Sequence, residues 1–388
     1  MDDSAAHAGQ GAEGFGQSIE KRIPFIQSCI CSLDRIDIMT ISRNWKQEYT
    51  ALRDFAAAHP EIQIDQSEIS IPKAVRDDFY RRFDDVRKAV VNGHYPALGK
   101  DAETLRENFV RTEGEVIELL GLDGIVIPID LYSFLHDPKK GLMRALYTKL
   151  FNLLQGKMTI ESFEQQAGID LETSAAELFR LGYEPWIFLS LMKLLEPDKA
   201  FMVDLDPEDE DKMVLAELRD ISFGRQALHG YFRIPEIVFH SCKLDKYVAV
   251  KAALAREIQS YVAVQDTPIK RKRRAGDSSF ALDYRVMLLY VMANAEEIPI
   301  VANLGEKKIS SPDLVVECIG MDEIKDPDIM EQVERRHYTL KPKIGTFLVV
   351  RDPSPELSVA SPGEKIYSVP AGFDSSGLLP ILDRLQTG

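Results

Sequence analysis

The spacing of apolar residues changes part-way along the chain, and this change limits the possible folds more than any other feature. Up to about Leu195 apolar residues recur every three or four positions. Trp45, Tyr49, Leu52 and Phe55 with Ala56 share one helical face, as do Val75, Phe79, Phe83, Val86 and Val90. The charges between the latter (Arg76, Asp77, Arg81, Asp84, Arg87) are expected to face water. Residues 101–120 form another amphipathic run carrying Leu105, Phe109, Val116 and Leu119, punctuated by Gly121 and Gly124. Asp137-Pro138 has the pattern of a helix start, with the acid as cap and the proline at the first position. Thr159-x-x-Ser162-Phe163 opens a short helix, and residues 171–195 predict two more, the second starting near Glu184-Pro185-Trp186.

Past residue 212 the runs shorten. Helices are expected at 213–226, 244–264 and 281–297, and a short buried strand at 233–240. Strand-like runs follow at 298–304, 313–319 and 345–351, with a helix at 327–340 between the last two. A short strand at 365–369 and a helix at 377–385 end the chain. Strand, helix, strand at this spacing signals a parallel βαβ pair. The expected fold class is therefore α+β: a disordered tail (1–15), an all-helical domain (16–200), an acidic linker (201–212) and a C-terminal α/β domain (213–388) with a small mixed sheet.

Composition narrows the function. A length of 388 residues suits two or three domains. No stretch of roughly 18 apolar residues occurs, so no membrane span is expected. Lys and Arg number 47 against 62 Asp and Glu, a formal charge of -15. Such a chain is repelled on average by phosphate backbones and anionic lipid, so nucleic-acid binding needs a local basic patch. Lys270, Arg271, Lys272, Arg273 and Arg274 supply one, in an expected loop, to contact DNA or RNA phosphates; the bland alternative is a solvated loop. No aromatics interleave, so base stacking is not indicated. The acids from Asp204 to Asp211 begin like a calcium loop, but Asp209 stands where its glycine is required, which leaves a solvated linker.

Cys29 and Cys31 form a C-x-C pair without a second pair, and read as buried reduced thiols. His240-x-Cys242 would share a strand face, but with no acid or thiol at a known spacing it reads as core or surface. The first residues lack a charged segment followed by an apolar core, so a cytoplasmic, reducing location is expected. Gly9-x-Gly11-x-x-Gly14 follows no strand, and neither a P-loop nor a G-x-S-x-G elbow occurs.

The most informative stretch is Ser311-Pro-Asp313-Leu-Val-Val-Glu317-Cys-Ile. Glu317 is the one acid inside an apolar run, and an ionised carboxylate in a buried strand is costly unless paired or metal-bound. Asp313 lies four residues earlier, on the same strand face. Residues 311–373 resemble the restriction-endonuclease-like superfamily. Within it, the match is to small bacterial nucleases with a strand Pro-Asp-Leu-Val-Val-Glu, a helix bearing a Tyr (here Tyr338) and a strand ending in Asp-Pro (here Asp352-Pro353). The resemblance implies Mg²⁺ held by Asp313 and Glu317, phosphodiester hydrolysis, and Gln332, Arg335 and Tyr338 orienting phosphate or the metal shell. The sequence departs from the superfamily's Glu-x-Lys at Cys318-Ile319, and the helix position of the family's lysine holds Glu334, as in a catalytically decayed relative. The competing expectation is a non-catalytic interaction or regulatory scaffold whose helical half binds a protein partner. The oligomeric state stays open.

Overall fold

The structure, a computed structural model, describes residues 38–206, 208–223, 234–252, 286–301, 310–351, 360–361 and 365–387. In chain order the first elements are α1 (Ile38–Ala58), the hairpin strands β1 (Gln63–Ile64) and β2 (Ile69–Ser70), α2 (Arg76–Leu120), β3 (Gly124–Val126), α3 (Ile129–His136), α4 (Pro138–Met143), α5 (Tyr147–Leu154) and α6 (Ile160–Leu194). The chain divides into two compact units. One holds the described residues up to Ala97 with Ala145–Thr173; the other holds Leu98–Arg144 and the described residues from Ser174 onward.

In the first unit the faces expected from the sequence are the buried ones. Trp45, Tyr49 and Leu52 of α1, Phe79, Phe83, Val86 and Val90 of α2, and Phe163, Ala167 and Leu171 of α6 are all buried. The Trp45 and Phe163 rings lie 5.0 Å apart, and Phe83 and Phe151 lie 4.4 Å apart. The buried Tyr49 hydroxyl donates to the Leu153 carbonyl at 3.3 Å, which satisfies the polar end of the ring.

Two helix boundaries differ from expectation. The runs near 75–90 and 101–120 are one 45-residue helix, α2, ended by Gly121 in the left-handed conformation (φ 64°). The short helix and the pair expected over 159–195 are one 35-residue helix, α6, with Pro185 inside it. An interior proline costs a helix about 3 kcal/mol. Trp186, Ile187, Phe188 and Leu189 follow it and are all buried, and their burial outweighs that cost. Asp137 does cap α4, accepting from the Lys140 N–H at 3.1 Å with Pro138 at the first position.

The second unit is built on a mixed sheet of nine strands, larger than the sequence suggested. Its later elements are β4 (Pro197–Asp206), β5 (Asp209–Glu217), β6 (Asp220–Ser222), β7 (Ile237–Ser241), β8 (Lys246–Lys251), β9 (Val286–Met292), β10 (Leu314–Ile319), α7 (Met321–Ile324), α8 (Pro327–Leu340), β11 (Gly345–Val350), β12 (Ala360–Ser361), β13 (Ile366–Pro370) and α9 (Leu379–Thr387). The strand order is β12-β13-β11-β10-β9-β8-β7-β4-β5, while β3 and β6 form a separate parallel pair. β11 runs parallel to both β10 and β13; the other neighbours are antiparallel. The chain is thus α+β, and the expected βαβ unit is β10–α8–β11. Among the described residues no helix is long and apolar enough to cross a membrane.

Three expected helices are strands over part of their described lengths. Residues 209–217, 246–251 and 286–292 form β5, β8 and β9. In β9 six of seven residues are buried, so it reads as one apolar run with no two-residue alternation to mark a strand. The acidic segment expected as a linker is the β4–β5 hairpin. Val203, Leu205, Met213 and Leu215 pack inward at alternate positions, with Asp204 and Asp206 between them. The strand expected at 298–304 is absent at its described residues, 298–301.

On one sheet face Phe188, Leu191, Met192 and Leu195, at the end of α6 and just past it, line a small cavity together with Phe239, Val250, Met287 and Leu289. The opposite face carries Val238, Ala249, Leu288, Tyr290 and Val315, then Ile319, Leu348, Val350 and Ile366 under α8. Gly345 opens β11 where a Cβ would stand 2.5 Å from the Lys365 carbonyl oxygen. Gly345→Ala is therefore expected to lower stability by about 1–3 kcal/mol, the range for overpacking a fixed site. Urea unfolding should show a lower midpoint with an unchanged slope.

Candidate functional site

All six residues of β10 are buried, and Glu317 is only 3% exposed. It sits between Val286 of β9 and Leu348 of β11, in the parallel half of the sheet. An ionised carboxylate there needs a partner, and α8 provides it. Asp326 caps this helix by accepting from the Asp328 N–H, with Pro327 at its first position. From that start Val333 and His337 turn inward and are buried, and the His337 ring meets the Thr346 hydroxyl of β11 at 2.8 Å (Nδ1 to Oγ1). The helix phase so fixed directs Arg336 to the carboxylate. Its Nε donates to Glu317 Oε1 at 3.1 Å and its Nη2 to Oε2 at 2.6 Å. This is the planar two-point fork that guanidinium makes with carboxylate.

Asp313, just before β10, ties neighbouring chain segments together. Its Oδ2 accepts from the Val291 N–H at 2.6 Å and its Oδ1 from Lys343 Nζ at 2.9 Å. Its own N–H donates to the Leu289 carbonyl, and its carbonyl accepts from the Ile344 N–H. Asp313 and Glu317 thus face different cations of the protein itself. Among the described residues the one trio of His, Cys, Asp or Glu gathered closely enough to hold a metal ion is Asp198, His240 and Cys242.

The remaining candidates of α8 point elsewhere. Gln332, Arg335 and Tyr338 are exposed, on the side of the helix away from Val333 and His337. One residue along a helix turns the side chain by about 100°, which separates Arg335 from Arg336. Lys270, Arg271, Lys272, Arg273 and Arg274 lie outside the described residues, as do Asp352 and Pro353.

A second buried ion pair escaped the sequence reading. Lys251, at the end of β8, is 1% exposed, and its Nζ lies 2.5 Å from Glu236 Oε1. The other oxygen of Glu236 accepts from the Ala252 N–H at 2.8 Å. Tyr290 of β9 lies opposite Ala249, on the face that Lys251 shares by alternation. Burial, then the charges of Asp313 and Glu236, push its phenol well above the ordinary tyrosine range. Charge on this face is therefore concentrated around Tyr290, with Glu236 paired to Lys251 and Asp313 to Lys343. The available signal was a Lys and a Glu ending or starting apolar runs, Tyr247-Val-Ala-Val-Lys251 and Glu236-Ile-Val-Phe. The expected helix over 244–264 hid it.

The described part of the second unit also holds an open cavity of about 500 Å³, lined by Val110, Val126 and Tyr132 with Arg106, Glu113 and His136 at polar positions. Burial raises the carboxyl pKa of Glu113.

Removing one member of the Glu317–Arg336 pair should be costly. Arg336→Met is expected to destabilise by about 3–5 kcal/mol, the usual loss when a buried charge is left without its partner. Adding Glu317→Leu should recover most of that loss, so a double-mutant cycle in urea reads out a large coupling energy. No protein-family model matches this chain, and neither a curated protein nor a solved structure resembles it at a significant level.

Proposed function

We propose that this protein is a nucleic-acid-associated, non-catalytic relative of nuclease-like domains, one that binds phosphate backbones without cleaving them. β10, α8 and β11 keep the strand–helix–strand order on which the restriction-endonuclease-like resemblance rests, and Pro312-Asp313 and Glu317 stand at its first strand. The observation that carries the non-catalytic reading is the Arg336 fork on Glu317. A Mg²⁺ site for hydrolysis needs carboxylate oxygens turned to a hard cation with coordination positions left for water and phosphate. Here a guanidinium takes the cation's place against Glu317, and Lys343 and a backbone amide take the oxygens of Asp313. Nucleic-acid contact would then fall to Lys270–Arg274, and attraction by so local a patch on a chain of charge -15 should fade steeply with salt.

A second reading, a scaffold that binds a protein partner, is favoured by one observation. Val126, Ile129 and Tyr132 are 54%, 64% and 56% exposed beside the open cavity, more apolar surface than a solvated face requires.

Gel-shift assays of the full chain at low salt, with single- and double-stranded DNA and RNA, should show binding. Replacing all five residues Lys270–Arg274 by Ser should abolish it, and no cleavage should follow in Mg²⁺ or Mn²⁺. Cleavage that needs the metal and disappears in Glu317→Ala would restore the hydrolytic reading. A complete absence of shifted nucleic acid would favour the scaffold.

A further inference from the structure

Asp198, His240 and Cys242 come from two strands and a turn that the sequence does not place together. β4 and β7 pair antiparallel, with Pro197 opposite Ser241 and Lys199 opposite His240. Asp198 is the extra residue of the irregularity between them, and a bulge of this kind turns its side chain out of the regular alternation. The turned carboxylate meets the His240 ring, with Oδ1 2.8 Å from Nδ1, and accepts a hydrogen bond from the Cys242 thiol. The Cys242 N–H donates to the Glu196 carbonyl at 3.1 Å, and the Ser241 hydroxyl donates to the Leu195 carbonyl at 2.5 Å. These bonds fix the turn after β7 against the end of α6. The ligand-type atoms of the trio all lie within 4.8 Å of one another.

We propose that Asp198, His240 and Cys242 form a binding site for a borderline-soft divalent cation of the Zn²⁺ type. One carboxylate oxygen, one imidazole nitrogen and one sulfur make a mixed donor set that suits such an ion and disfavours Mg²⁺ or Ca²⁺, which take oxygen ligands. Tetrahedral Zn²⁺ with bonds of about 2.0–2.3 Å sets its ligands about 3.3–3.6 Å apart, a small relaxation from the observed spacing. On binding, the Cys242 thiol gives its proton to solvent and the thiolate, imidazole and carboxylate become ligands, leaving a fourth position for water. The ring keeps its other nitrogen free to serve as an outer-shell donor. His240 Nε2 faces Asp245 Oδ1 at 3.8 Å, and an approach of about 1 Å by that fully exposed side chain gives the carboxylate–histidine–metal arrangement. Glu196 and Asp245 add negative charge around the thiol, which favours a cation there. The site lies on other strands of the sheet than Glu317.

Co²⁺ serves as the spectroscopic stand-in. Titrated into the full, reduced chain, it should bind at one equivalent, give sulfur-to-cobalt charge-transfer absorption in the near ultraviolet, and be displaced by Zn²⁺. Cys242→Ser should lose that absorption, while Asp198→Asn and His240→Gln should weaken Zn²⁺ binding at least tenfold, about the effect of disturbing a metal shell. The Cys29→Ser/Cys31→Ser variant should keep the absorption. Without any variant, Zn²⁺ should slow alkylation of Cys242 by iodoacetamide, read by mass spectrometry. Absence of charge-transfer absorption in the unaltered chain, its survival in Cys242→Ser, its loss in Cys29→Ser/Cys31→Ser, or unchanged alkylation would each overturn the proposal.

Discussion

A charge inside the dry layer between a sheet and its covering helix must meet an opposite charge there, and the arrangement around β10 follows from this requirement. Glu317 sits where all of its strand neighbours are buried, and desolvation of a lone carboxylate costs several kcal/mol. Arg336 removes that cost by forking both oxygens. The pair in turn specifies how α8 lies: with Val333 and His337 inward, the helix has one rotation that presents the guanidinium. The same device recurs at Lys251 and Glu236, and in a more exposed form at Lys343 and Asp313. Three ion pairs thus involve strands or strand ends of this sheet, one at β7 and β8 and two around β10. Each leaves its acid engaged by a protein cation, which gives the acids a structural role in holding the layer together.

The same pairing bears on the hydrolytic branch of the nuclease-like reading and leaves its scaffold rival untouched. A nuclease and its decayed relative share a sheet and differ in what neutralises the acids. The hydrogen-bond geometry favours an internal guanidinium over an external metal, because the bidentate fork satisfies the acceptor directions a metal shell would use. The cysteine–histidine–aspartate trio stands in a different situation. Its groups lie at the surface, with bonds to one another and to loop backbone, and can exchange a proton for a metal without exposing a buried charge.

The sequence was most legible where punctuation is strong. The helix 327–340 and the strands near 314–319, 345–350 and 366–370 lie where short apolar runs and the Asp326-Pro327 cap put them. It was least legible where a strand is buried on both faces, as in β8 and β9, because a continuous apolar run has no period to read. Pro185 suggested a break that tertiary packing overrides. At the site, the argument from burial singled out Glu317 correctly as an anomaly needing a partner. The helix residues expected to act there were Gln332, Arg335 and Tyr338, orienting phosphate or a metal shell. The phase set by Val333, His337 and Leu340 leads instead to Arg336. Asp198 was invisible as a companion of His240 and Cys242 because it was assigned to the end of the helical domain (16–200) and the rest of its strand to the linker, and because contact across a bulge leaves no trace in local spacing.

The most direct test is a crystal of the full chain soaked in Mn²⁺, with anomalous scattering used to locate the ion. The account predicts no anomalous peak within ligand distance of Glu317, and electron density for Arg336 still forked on its carboxylate. A Mn²⁺ peak shared by Glu317 and Asp313, with the guanidinium swung away, would contradict it.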